Sequence, residues 1–175
     1  MASRSKSVLI LDTSVLCVWL KIPGFDSCGS DVHHWDFAKI DEEITTAVEM
    51  HFTLVLPLAT IIETGNHIAH APERRRDRAI ALADLMRKAA DETSPWAAFT
   101  EQAGLWSADN LKKLANVWPD LAATRLAIGD ATIKDVAEYY SAMGFDVRLL
   151  SGDSRLAAYA PPHPPLVPRR RQRVE

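Results

Sequence analysis

VLILDTSVL, residues 8–16, decides the fold. Its first four residues are all apolar and leave no polar side to face water, the pattern of a strand buried on both faces in a parallel sheet. Asp12 ends the run, and residues 13–20 then carry a helical pattern. In an open parallel α/β sheet, ligands bind in the crevice outside the carboxyl ends of the strands. Asp12 therefore falls on the edge of that crevice.

The same hand-over recurs along the chain. LVLPL, residues 54–58, precedes Thr60 and Glu63, and VRLL, residues 147–150, precedes Ser151, Gly152 and Asp153. Asp130 follows Ile128 and Gly129 and opens a helical pattern instead. If the strands are parallel, acids distant in sequence meet at one edge. Four carboxylates without matching Lys or Arg would repel one another and retain protons unless a divalent cation offsets their charge. An oxygen-only set suits Mg²⁺ or Mn²⁺ rather than zinc.

Each acid also has a plainer reading. Asp12, Asp130 and Asp153 stand where an N-cap aspartate accepts a bond from the first helical turn. Thr60 and Glu63 have the T-x-x-E spacing of a capping box. Capping accounts for each acid alone but not for their recurrence after the strands.

Further elements follow from apolar period and punctuation. Helices are expected over residues 37–50, 60–69 and 73–90, the last started by Pro72. Shorter ones are expected over 96–103, after Pro95, and 108–117, before Pro119. A strand is expected near 53–56 and another at 146–150, the latter after a helix whose apolar positions include Ile133, Val136, Ala137, Tyr140 and Met143 and which Gly144 ends. Residues 21–36 carry Pro, Gly, Ser and Asp without a period and read as a long loop. Strands alternating with helices imply a three-layer α/β/α sandwich with right-handed crossovers around a mainly parallel sheet.

The 175 residues, 47% of them hydrophobic, suffice for one domain with a sizeable core, expected over residues 1–160. The net charge of −3 argues against a protein that coats nucleic acid generally, though a local basic face is compatible with it. Cys17 and Cys28 make no disulfide framework, so a reducing cytoplasm is the expected setting. Asp12 interrupts the first apolar run too early for a signal peptide, and no run approaches the ~18 apolar residues of a membrane span.

Residues 161–175 differ in kind: PPHPPLVPRRRQRVE is a Pro/Arg-rich tail. Its prolines favour polyproline II geometry and keep it out of a sheet. It reads either as a solvated end or as an arm whose Arg169, Arg170, Arg171 and Arg173 meet phosphates or an acidic partner.

These residues resemble the PIN-domain nucleases, a family that includes the ribonuclease toxins of bacterial toxin–antitoxin pairs. LILDTSVL is similar to the family's first motif, with Asp12 its acid and Ser14 a polar companion; PLATIIETGNHIA resembles the second, with Glu63. GDATIKDVAEYY resembles the third, with Asp130, and LLSGDSRL the fourth, with Ser151 and Asp153. The resemblance runs over residues 8–158. Residues 21–36 and 95–119 are longer than a minimal member needs. It implies Mg²⁺- or Mn²⁺-dependent hydrolysis of RNA phosphodiesters, with Asp12, Glu63, Asp130 and Asp153 as metal-binding and catalytic acids. Ser14, Ser151, Thr13 and Asn66 would support them. It also implies RNA as substrate, an antitoxin or other regulatory protein as partner, and homo-oligomers as an option. Two other readings stand beside it: a catalytically silent interaction scaffold whose acids only cap helices, and a housekeeping RNA-processing or structure-specific DNA nuclease.

Other features carry less. His67 and His70 follow Glu63 at helical spacing without a third ligand for zinc. Arg74, Arg75, Arg76 and Arg78 form a basic run that reads as a solvated helix start or as an RNA or partner contact. Trp96, Phe99, Trp106 and Trp118 could stack bases or fill the core.

Overall fold

The computed structural model describes residues 6–159 and residue 161. Its centre is a parallel sheet of three strands in the order β4-β1-β5: β1 (Ser7–Leu11), β4 (Thr53–Val55) and β5 (Asp146–Leu150). β1 lies in the middle, which is why its apolar run is unbroken: Val8, Leu9, Ile10 and Leu11 are all buried. Leu9 and Leu11 enter one apolar cluster while Val8 and Ile10 enter another, so successive side chains serve opposite faces.

Helices cover both faces. The Leu9 side packs against α1 (Thr13–Trp19), α2 (Phe37–Glu49), α3 (Leu58–His70) and α4 (Arg75–Ala90), through residues such as Leu16, Ile40, Ile68 and Leu82. The Val8 side packs against α6 (Ile128–Ala142), through Ile133, Val136, Ala137 and Tyr140. A 3-10 helix (Phe99–Trp106), α5 (Ala108–Ala123) and the short α7 (Ser154–Ala157) complete the chain. The expected α/β class, with a parallel sheet between helices, is observed. No helix among the described residues is long and apolar enough to cross a membrane.

Several local expectations are corrected. Residues 21–36 are not a featureless loop: β2 (Ser27–Gly29) and β3 (His34–Asp36) pair antiparallel within them. The Thr60–Glu63 capping box does not form, because α3 starts earlier, with Pro57 as N-cap. Thr60 Oγ1 instead donates to Leu11 O at 2.9 Å and ties α3 to the end of β1. Asp130 is no cap either; Ala127 precedes α6, and Asp130 sits in its first turn. Pro72 does not open α4, which begins at Arg75 behind a left-handed Arg74. The expected helix 96–103 is replaced by the 3-10 segment, since Trp96 and Ala97 bridge to Leu54 and cover the free edge of β4. Trp96 is thereby buried and unavailable for base stacking. Finally, Pro119 lies inside α5 rather than after it. The tail beyond residue 161, with Arg169, Arg170 and Arg171, lies outside the described residues.

Candidate metal and catalytic centre

Asp12 leaves β1 as the N-cap of α1, and its carboxylate is nearly fully buried. Oδ1 accepts from Thr13 N at 2.6 Å; Oδ2 accepts from Ser14 Oγ at 2.6 Å and from Ser151 Oγ at 2.7 Å. A carboxylate has about four lone-pair sites, so three bonds fix it and leave one acceptor position on Oδ1. Burial of this anion is offset by these donors. Ser151 follows β5, and because β5 pairs in register with β1 its hydroxyl lands on Asp12.

The other acids attach to the same frame. Thr13 Oγ1 donates to Glu63 Oε2 at 2.8 Å, bringing the middle of α3 to the start of α1. Gly152 N donates to Ser14 Oγ at 2.9 Å and Asp153 N to Ser151 Oγ at 3.0 Å, which seats the chain between β5 and α7. Asp153 caps α7 by accepting from Arg155 N at 2.7 Å. Asp130 arrives from α6. Its carboxyl is pushed up from the usual 3.8 to about 6, first by burial, then by the charges of Asp12, Asp153 and Glu63, against a bond from the Ala127 backbone. All four acids thus share one pole of the molecule, at the carboxyl ends of β1 and β5. Among the described residues none of the four is in an ion pair.

The supporting residues divide. Thr13, Ser14 and Ser151 belong to the network, whereas Asn66 is exposed and its side chain makes no bond to it among the described residues. Three participants escaped the sequence reading. Gly129 lies against Glu63, where a Cβ would overlap Oε1 and stand 2.9 Å from Cδ. A Cβ on Gly152 would come within 2.8 Å of Cys28 Sγ and 2.9 Å of Gly29 N, so the β2–β3 hairpin packs directly on the site. Cys28 is the third; burial raises its thiol pKa, countered in part by a bond to Ser14. A glycine directly before an aspartate was the only signal available for the first two.

The histidines are structural. His67 meets Phe25 edge to face at 4.7 Å, and His70 Nδ1 lies 2.8 Å from Asn66 O. The arginine run faces elsewhere. Arg75 donates to Ala71 O at 2.7 Å and Arg78 to Leu20 O at 2.9 Å, while Arg74 pairs with Asp77 at 3.7 Å. Leu20 ends the helix that Asp12 begins, so the Arg78 contact is a helix length, roughly 10 Å, away from Asp12.

The donor set is oxygen only, carboxylates backed by hydroxyls, which is the chemistry Mg²⁺ and Mn²⁺ prefer. Among the described residues no group of three or more His, Cys, Asp or Glu is arranged so that it could hold a metal ion. No protein-family model, curated protein or solved structure matches the chain.

Proposed function

We propose that the protein is a PIN-like, Mg²⁺- or Mn²⁺-dependent ribonuclease that hydrolyses RNA phosphodiester bonds, acting as a toxin or defence-type effector. The observation that carries this reading is the convergence of Asp12, Glu63, Asp130 and Asp153 at the carboxyl pole of a parallel sheet, with hydroxyls holding Asp12 and Glu63 and, among the described residues, no ion pair to any of the four. These four would hold the ion, whose chemistry when bound is to activate water and offset charge on the phosphoryl oxygens. Asp12 is the fixed member, since its three bonds leave its orientation little freedom. Thr13 holds one oxygen of Glu63 and leaves the other facing Gly129. Asp130, with its raised pKa, keeps a proton to higher pH than an ordinary aspartate and is the member best suited to exchange one near neutrality.

A second reading is favoured by a specific observation. Asp12 and Asp153 do cap helices, as acids would in a catalytically silent scaffold. Substitution separates the two. Asn caps almost as well as Asp, so Asp12→Asn and Asp153→Asn should leave a scaffold unchanged in stability and binding. Under the nuclease reading each variant stays folded but loses at least about tenfold in Mn²⁺ affinity, and metal-dependent RNA cleavage with it. Full cleavage by both purified variants would remove the proposed site.

A further inference from the structure

The Arg78 end of the densest arginine run lies a helix length from Asp12, whereas two arginines that stand alone in the sequence sit on the segments that carry Asp153 and Asp130. We propose that Arg125 and Arg155 form a clamp for the RNA phosphate backbone on the rim of the carboxylate cluster. This rests on the nuclease reading and names how that site would hold its substrate.

Arg155 follows Asp153 by two residues, and its backbone N–H is bound to the Asp153 carboxylate. Its guanidinium reaches across to Thr124, the C-cap of α5, donating to the carbonyl at 3.3 Å. The next residue is Arg125, exposed and in the left-handed region at φ 66°. From there two residues lead to α6 and Asp130. The two guanidinium groups therefore belong to the segments that carry Asp153 and Asp130. Neither is in an ion pair among the described residues.

A polyanion approaching four carboxylates is repelled unless cations at the rim hold it. Arg125 and Arg155 are placed to do so, and Arg78 is not. The competing explanation is that Arg155 merely caps the negative end of α5. That bond uses one of five guanidinium N–H groups and leaves the others directed to solvent or ligand.

The test uses the full chain with Arg125→Gly and Arg155→Gln, singly and together. Glycine suits the left-handed backbone at 125, and glutamine keeps a donor for Thr124 O, so both changes remove charge without undermining the fold. Binding of a short fluorescein-labelled single-stranded RNA of mixed sequence is followed by anisotropy in chelator across a salt series. Cleavage of the same RNA is measured with Mn²⁺. The double variant is expected to bind about tenfold or more weakly at low salt, with a log–log salt slope shallower by about 1.4, or 0.7 for each lost phosphate contact. KM for cleavage should rise by a similar factor while kcat stays near that of the parent. If the parent binds and cleaves RNA but the double variant keeps its affinity and slope, the clamp is overturned; a lowered melting temperature in Arg155→Gln alone would then assign that residue to capping α5. If the parent protein neither binds nor cleaves RNA, the nuclease reading falls and the clamp with it.

Discussion

Gly129 shows how a residue without a side chain can govern a carboxylate. Its Cα faces the end of Glu63 so closely that a methyl group would displace the carboxylate oxygen. The atom displaced is the tip of a flexible side chain, so the cost in stability is small. The cost in position is not. Gly129→Ala is expected to shift the melting temperature little, to lower Mn²⁺ affinity and RNA cleavage about 10- to 100-fold, and to leave RNA binding in chelator nearly intact. A variant with parental cleavage would show that Glu63 lies outside the reacting centre. At this scale the acids were legible because each follows an apolar run or opens a helix. Gly129, Gly152 and Cys28 were not, since their importance comes from what another element brings against them. Arg125 and Arg155 were missed for the same reason: local density in the sequence favoured Arg74, Arg75 and Arg76, and only the tertiary fold carries Arg155 across to Thr124, the neighbour of Arg125.

The helices end in a repeated way that the sequence conceals. After α1, α2, α5 and α6 the residue past the cap is left-handed: Lys21, His51, Arg125 and Gly144. In each case its N–H, and that of the following residue, bond back to the last turn, as in Ile22 N to Cys17 O and Phe52 N to Ala47 O. Glu92 after α4 has the same backbone, with Thr93 N bonded to Lys88 O. The following residue is apolar in four of the five, and Phe145 packs edge to face on Tyr140 across the α6 end. Glycine is the residue that adopts this conformation without strain, and only α6 has it. His51→Gly and Glu92→Gly should each stabilise the fold by about 0.5–1 kcal/mol, read as a higher urea midpoint at unchanged slope. A lower midpoint in both would mean that these side chains contribute contacts outweighing the backbone strain. The central strand β1 was legible because its apolar run is unbroken, as burial on both faces requires. The β2–β3 hairpin was not, since its three-residue strands are mixed in polarity and have no period. Pro119 misled because local preference would use it as a stop, whereas α5 runs through it to Ala123.

For the molecule as a whole, gathering four acids at one pole should make stability depend on pH and, under the proposed function, on divalent ions. Asp130 has an ordinary value of 3.8 when unfolded and about 6 when folded, so between those values the native state binds more protons than the unfolded chain. Stability contributed by that proton is present at about pH 4 and is lost as pH rises through 6, the reverse of a salt-bridged aspartate. In chelator the melting temperature should therefore carry a falling component from pH 4 to 7, and Asp130→Asn should flatten it. Under the proposed function the ion binds the deprotonated cluster, so its effect should run the other way. At a hundred times its dissociation constant an ion adds about 2.7 kcal/mol, which for a chain of this length raises the melting temperature by roughly 5–10 °C. That rise should be full above pH 7 and shrink below 6, where protons compete for Asp130. Melts of the parent protein and Asp130→Asn, with and without Mn²⁺ across this range, read both effects. Parallel pH profiles for the two proteins would detach Asp130 from the cluster, and an absent Mn²⁺ shift at every pH would leave the four acids as helix caps and neighbours.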